Sequence, residues 1–204
     1  MSGLEVRLNF IYAFEEEEIM ATKRDLIAVG HPLLRQIAAP VRDVLDPHLQ
    51  RLIDDLIVTA HEANGVGIAA PQIACSERLF IVASRPSLRY PRAPQMEPTA
   101  MLNPKLLAHG EVQVEGWEGC LSVPGMRGLV SRYETIEVEF IGRDGSLHRR
   151  QLTDFVARIF QHELDHLDGI VFLDRVGGKD DLLSERDYLE MLLTESTTRD
   201  VGQG

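Results

Sequence analysis

Cysteine is nearly missing from this 204-residue chain, which carries only Cys75 and Cys120. Two thiols cannot build a disulfide framework or an all-cysteine zinc site; one disulfide stays open, and the usage suits a reducing compartment. Long apolar runs are missing too. Nowhere do about eighteen apolar residues follow one another, so no helix spanning a bilayer is expected. Positive charge is scarce: 21 Lys and Arg stand against 32 Asp and Glu, a formal net charge of -11. Such a chain repels phosphate backbones and anionic lipid, and direct binding to nucleic acid or membrane is not expected. The short apolar piece Leu8 to Phe14 runs into Glu15 to Glu18 rather than a small-residue cleavage site, unlike a secretory signal. A transit peptide would be rich in Arg and Ser; the stretch to Ile19 has one Arg and five Glu. A bacterial cytoplasmic location is expected.

What is present fits one core. With 44% hydrophobic residues, a chain of this length buries a sizeable interior without needing a second domain. Residues 1–19 read as an N-terminal extension of no assigned function, 20–176 as the main folded domain, and 177–204 as a C-terminal helix and polar tail. From Pro47 to Ala63, Leu49, Leu52, Ile53, Leu56, Ile57, Ala60 and Ala63 recur at helical spacing before the Asn64-Gly65 stop. Leu79 to Ala83 reads as a buried strand, Arg85 to Pro98 as a proline-rich loop, and Glu111 to Glu115 as a strand. Thr135 to Phe140 and Ser146 to Leu152 form a hairpin across Gly142-Arg143-Asp144-Gly145. Thr153 or Asp154 caps a helix to about Leu167 that is apolar on most sides, as a central helix must be. Ile170 to Leu173 then reads as a strand, and Asp180 to Leu193 as an amphipathic helix. The class is α+β, antiparallel strands packed around a central helix.

That helix carries His162-Glu163-Leu164-Asp165-His166, an H-E-x-x-H pattern. Helical residues four apart lie one turn above each other, so two imidazoles face one ion. Glu163 projects about 100° round the helix from His162, within reach of a metal-bound water but clear of the coordination positions, as a general base must be. The same spacing arises by chance on solvated faces. Here the neighbours are apolar, and Phe155, Ile159, His162 and His166 share one stripe. The imidazoles are expected to be buried, where a metal or hydrogen bonds must satisfy them.

The third ligand separates the candidate classes. A metzincin protease would continue H-x-x-G-x-x-H; Leu167-Asp168-Gly169 follows, but position 172 is Phe172. A thermolysin-like peptidase takes a glutamate from a downstream helix, where Glu185 and Glu190 are available. Cys120, in Gly116-Trp117-Glu118-Gly119-Cys120-Leu121-Ser122, offers a thiolate suited to zinc or ferrous iron, although a lone cysteine is commonly just a small buried hydrophobe. Two imidazoles and one thiolate leave a divalent ion with net positive charge and an open position; a structural site would be closed by a fourth ligand. Gly65-Val66-Gly67-Ile68-Ala69-Ala70-Pro71-Gln72 matches G-x-G-x-x-A only superficially. A dinucleotide turn needs a strand before and a helix after, whereas a helix precedes and Pro71 interrupts. The glycines instead allow backbone to approach a neighbour or a peptide closely.

Together and in this order, the Gly65–Gln72, Glu118–Ser122 and Gln161–Leu167 segments resemble the peptide deformylase family, over about Asp25 to Val176. The resemblance implies an α+β hydrolase that removes the N-formyl group from the N-terminal methionine of newly made proteins. It implies one divalent ion, ferrous iron, replaceable by zinc, nickel or cobalt, and as partners nascent formyl-methionyl chains near the ribosome exit. By position it implies Cys120, His162 and His166 as ligands, Glu163 as acid/base, and Gln72 with the Leu121 backbone N–H as donors to the developing oxyanion. Gly67 would pair its backbone with the peptide. Val66, Glu118, Phe155, Ile159 and His162 match positions around the methionine side chain, and Arg127 is expected at the substrate entrance. Ser131 stands where many members carry proline, and the extension has no counterpart.

Overall fold

The structure, a computed structural model, describes residues 21–201, with side chains as far as 194. The expected extension 1–19 lies outside the described residues. In chain order the elements are α1 (Pro47–Glu62), β1 (Gly67–Ala69), β2 (Leu79–Val82), β3 (Thr99–His109), β4 (Gln113–Cys120) and β5 (Val123–Tyr133). Then come β6 (Thr135–Ile141), β7 (Leu147–Thr153), α2 (Asp154–Leu167), β8 (Leu182–Ser184) and α3 (Glu185–Val201). All pairings between these strands are antiparallel, in a five-stranded sheet of order β1-β2-β3-β6-β7 and a three-stranded sheet of order β4-β5-β8. This is the α+β class expected.

The first two helices start where the sequence says they should. Asp46 caps α1 by accepting a hydrogen bond from His48 N, and Pro47 occupies the first turn, where a missing N–H costs nothing. The buried face of α1, Leu49, Ile53, Leu56 and Ala60, packs on Ile68, Leu79 and Ile81 of the large sheet. α2 lies in a second cluster, with Ala157, Ile159, Phe160 and Leu167 against Phe80, Val82, Ile136, Val138 and Phe140. Phe80 and Phe160 meet edge to face at 5.2 Å, a geometry the ring quadrupoles favour. The sheet thus holds α2 by its apolar stripe and leaves its other side to the small sheet.

Three segments differ from expectation. Ile170 to Leu173 is not a strand; Phe172–Arg175 is a 3-10 helix, because Asp174 accepts a hydrogen bond from Val171 N and is paired with Arg35. The strand expected at Glu111 to Glu115 runs instead over Gln113–Cys120, pairing along β5. In place of one helix from Asp180, Leu182–Ser184 pairs with β5, and α3 begins at Glu185, where Ser184 Oγ accepts from Asp187 N. β3 runs through Asn103 and Pro104 with a register shift. Asn103 adopts a left-handed φ of 49°, and its side-chain amide bonds both Val41 N and Val41 O at 2.9 Å. The bulge therefore pins the incoming N-terminal segment to the sheet.

Since Phe160 is fully buried between the sheet and α2, Phe160→Ala should lower stability by about 3–5 kcal/mol. Urea unfolding should show a lower midpoint at unchanged slope.

Candidate metal centre

β4 and α2 meet at the floor of a cavity of about 270 Å³. Cys120 ends β4, and His162 and His166 lie one turn apart on the face of α2 toward it. Cys120 Sγ and one ring nitrogen of each histidine lie within 4.8 Å of one another. Cys120 Sγ and His166 Nε2 are 3.2 Å apart, near the separation of donors that share an ion about 2.0–2.3 Å from each.

Burial opposes ionising the Cys120 thiol, yet His166 and His162 outweigh it and bring its pKa down to about 5. Two further donors point at the sulfur, Ser122 N at 3.3 Å and Gln72 Nε2 at 3.4 Å. Burial also disfavours a charged His162, but its hydrogen bonds to Cys120 and Glu118 carry its pKa well above the ordinary value. Glu163 is buried beside them. Burial drives its carboxyl up, the two imidazoles draw it back and the thiolate pushes it up again, leaving it at about 7. A carboxyl with that value is suited to taking and giving a proton near neutral pH.

The donor set itself tests the site for a metal. One thiolate and two imidazoles are ligand types that divalent transition ions accept, and among the described residues they are the sole His, Cys, Asp and Glu group so placed. Glu163 Oε2 and His166 Nδ1 are buried with no hydrogen-bond partner, which is costly unless something else occupies the site. The residues fit a metal ion.

Behind the ligands lies a buried ionic network. Glu118 Oε2 is 2.9 Å from His162 Nδ1, so that nitrogen's proton points at the carboxylate and Nε2 is turned to the cavity. Arg132 donates to both Glu118 oxygens at 2.9 and 3.0 Å, and Arg158 donates to Oε1 at 2.9 Å. Arg132 continues to Asp165 at 2.6 Å, which also receives Arg175. Burial pushes the Glu118 carboxyl up, but the bonds from His162 and Arg132 overcome it and hold it well below the carboxylate range.

Two glycines make room for these groups. A Cβ on Gly67 would collide with Glu163 Oε1 and come within 2.9 Å of Ile159, and one on Gly119 would overlap the Arg127 guanidinium. Of the residues singled out in the sequence, Val66, Gly67, Gln72, Glu118, Cys120, Leu121, Arg127, Phe155, Ile159, His162 and Glu163 all line the cavity. His166 lies just behind it, 1% exposed.

The Polypeptide deformylase family model matches residues 23–181. The chain belongs to the polypeptide deformylase family. Peptide deformylase 2 of Nostoc sp. is 60% identical over 172 residues, 84% of this chain and 96% of that protein. Peptide deformylase 2 of Shewanella oneidensis is 47% identical over 150 residues, 74% of this chain and 82% of that one. Among solved structures, the class I type b deformylase of Acinetobacter baumannii bound to Met-Ala-Ser is similar at a TM-score of 0.75 and 43% identity, covering 77% of this chain and all of that one. The deformylase of Thermotoga maritima is similar at a TM-score of 0.69 and 32% identity, over 76% and 99%. As a deformylase, the chain is a metal-dependent hydrolase removing the N-formyl group from nascent peptides, with a Cys/His/His group suited to a single ion.

Sequence reasoning overlooked several residues around this deformylase site. Arg158 was legible in principle, one turn before His162 on the same helix. Arg132 and Asp165 had no spacing signal, since their pairing spans 33 residues. Glu185 was weighed as a third ligand; its carboxylate instead holds Arg127 and Arg89. Glu190 pairs with Arg186 on the helix surface.

Glu118→Gln should cost about 3–5 kcal/mol at neutral pH, because it leaves buried arginines without their countercharge. A carboxyl depressed in the fold contributes stability that is complete above its unfolded value of about 4.3 and is lost as pH falls through its folded value. The difference in urea midpoint between variant and parent should therefore be largest near pH 7 and shrink below about pH 4.

Proposed function

We propose that Cys120, His162 and His166 hold the ion, that Glu163 is the catalytic acid/base, and that Gln72 and the Leu121 backbone N–H stabilise the oxyanion. The observation that carries this reading is the buried Glu163 carboxyl, unpaired at Oε2, beside three converging donors. A bound divalent ion would supply Lewis acidity there, activating water and polarising the formyl carbonyl. Glu163 then receives the proton of the attacking water and delivers it to the leaving amine nitrogen. Gln72 is already oriented: its Oε1 accepts from Ala69 N at 2.8 Å, so Nε2 faces the Cys120 side. A donor fixed in advance costs no reorganisation when charge develops on the carbonyl oxygen.

The substrate fits the rest of the cavity. Gly67, on an edge strand paired among the described residues with β2 alone, offers its backbone to an extended peptide. Val66, Phe155 and Ile159 form an apolar wall for the methionine side chain, while Glu118 serves from behind by fixing His162. Arg127 borders the entrance. We assign ferrous iron as the native ion, with zinc, nickel or cobalt as substitutes, and nascent chains near the ribosome exit of the bacterial cytoplasm as the setting. Support for both comes from the motif resemblance; the thiolate and imidazole donors suit each of these ions.

The deciding experiment compares formyl-Met-Ala with acetyl-Met-Ala. The first should be hydrolysed and the second, bulkier by a methyl and less electrophilic, should not; equal cleavage would refute formyl recognition. Glu163→Gln should keep its metal and lose at least about a hundredfold in kcat, since a positioned acid/base contributes roughly 10²–10⁴. Metal loss in that variant would make Glu163 a ligand. Anaerobic reconstitution with ferrous iron should give higher turnover than zinc, and equal turnover would overturn the iron assignment.

A further inference from the structure

The family match ends at residue 181, yet the cavity is lined by Glu185, the first residue of α3. Resting on the substrate reading above, we propose that Glu185 is a positioning residue for the methionine pocket, acting through Arg127 and Tyr90.

The chain of contacts is continuous. Both oxygens of Glu185 accept from Arg127, Oε2 from Nε at 2.5 Å and Oε1 from Nη2 at 3.1 Å, a bidentate pairing that fixes the plane of the guanidinium. The remaining nitrogen, Nη1, donates to the Tyr90 hydroxyl at 2.8 Å. The Tyr90 ring packs on Phe155 at 4.7 Å, and Phe155 lines the pocket two helical turns before His162. Glu185 therefore sets the position of an apolar pocket wall without touching substrate itself.

Three features make this more than a surface ion pair. Arg127 is 5% exposed, and among the described residues Glu185 is its sole carboxylate partner. Glu185 also accepts Arg89 Nε at 2.7 Å, so one carboxylate gathers the proline-rich loop, β5 and α3 at a single point. The Arg127 guanidinium sits against Gly119, directly before Cys120, where an added Cβ would overlap it, and its guanidinium carbon sits 5.2 Å from the Tyr188 ring of α3. A guanidinium freed from Glu185 loses the one carboxylate that pairs with it among the described residues. It must turn toward solvent through the cavity, releasing Tyr90 and narrowing the space for methionine.

Steady-state kinetics of the metal-loaded full chain test this with Glu185→Ala, Glu185→Gln and, as a control on the same helix, Glu190→Ala. For formyl-Met-Ala, Glu185→Ala should raise KM about tenfold or more, the size of a lost charged hydrogen bond, while kcat changes less than about threefold. Selectivity for formyl-Met-Ala over formyl-Ala-Ala should fall in parallel. Glu185→Gln, which keeps one acceptor for Arg127, should lie between Glu185→Ala and the parent, and it carries the test if the alanine variant does not fold. Glu190→Ala should match the parent in both constants. Unchanged KM and unchanged methionine selectivity in Glu185→Gln and Glu185→Ala would overturn the proposal, as would a loss confined to kcat. An equal KM increase in Glu190→Ala would also overturn it, by showing that α3 acts only as a packing element. Because the parent is measured on the same formyl peptides, failure of the Glu185 assignment is distinguishable from failure of the substrate reading.

Discussion

One carboxylate, Glu118, holds α2 to the small sheet. It sits 3% exposed on β4 and accepts from Arg132 of β5 and from Arg158 and His162 of α2. Taking that many charges out of water is expensive, and an apolar replacement of similar volume could be as stable. What an apolar replacement could not do is choose the tautomer of His162. With Nδ1 committed to Glu118, Nε2 is turned to the cavity, with the ring orientation fixed as well. The network is therefore better explained by the precision of the centre than by stability. Asp165 extends the same logic, tying Arg132 to Arg175 so that the guanidinium facing Glu118 is itself held at both ends.

The glycine-rich motifs belong to this scheme through space rather than through turns. Gly67 and Gly119 are not in the left-handed region, so backbone freedom is not the reason for them. Each lies where a side chain from another element presses against the strand: Glu163 on Gly67, Arg127 on Gly119. Gly116 repeats the device with Arg158, whose guanidinium carbon would lie 2.8 Å from an added Cβ, and which reaches the Val114 and Val130 carbonyls across the same strands. A pattern that superficially suggests phosphate binding is here a set of seats for charged groups. The inference from glycine to close approach was sound; the identity of the approaching group lay elsewhere in the chain.

How much the sequence disclosed follows from the range of the forces involved. α1, α2 and the β6–β7 hairpin were legible because periodicity, caps and turn residues act within a few positions. The pairing of His162 with His166 was legible for the same reason. β3 and β5 were not: Asn103 and Pro104 interrupt one, and Pro124, Gly125 and Gly128 dilute the other, so neither shows the alternation of a strand. Their stability comes from cross-strand partners far along the chain. Cys120 was legible as a candidate ligand from its thiolate chemistry and its motif, and Glu185 as a partner of Arg127 only through the structure, since a pairing over 58 residues leaves no local trace.

The centre joins elements that the hydrophobic core does not. α2 is packed by its apolar stripe onto the large sheet, whereas Cys120 and Glu118 belong to the small sheet, whose own apolar cluster is built around Val123, Val130 and Phe172. An ion held between Cys120 and the two histidines would cross the same α2–β4 seam that the His162–Glu118 bond crosses. Binding energy spent there is also folding energy, because a ligand that binds only the assembled state stabilises it by mass action. Two bonds across one seam are not independent, and loss of either leaves the other holding a looser joint. The small sheet and the metal centre should thus behave as one cooperative unit, distinct from the more self-sufficient packing of α1 and α2 on the large sheet.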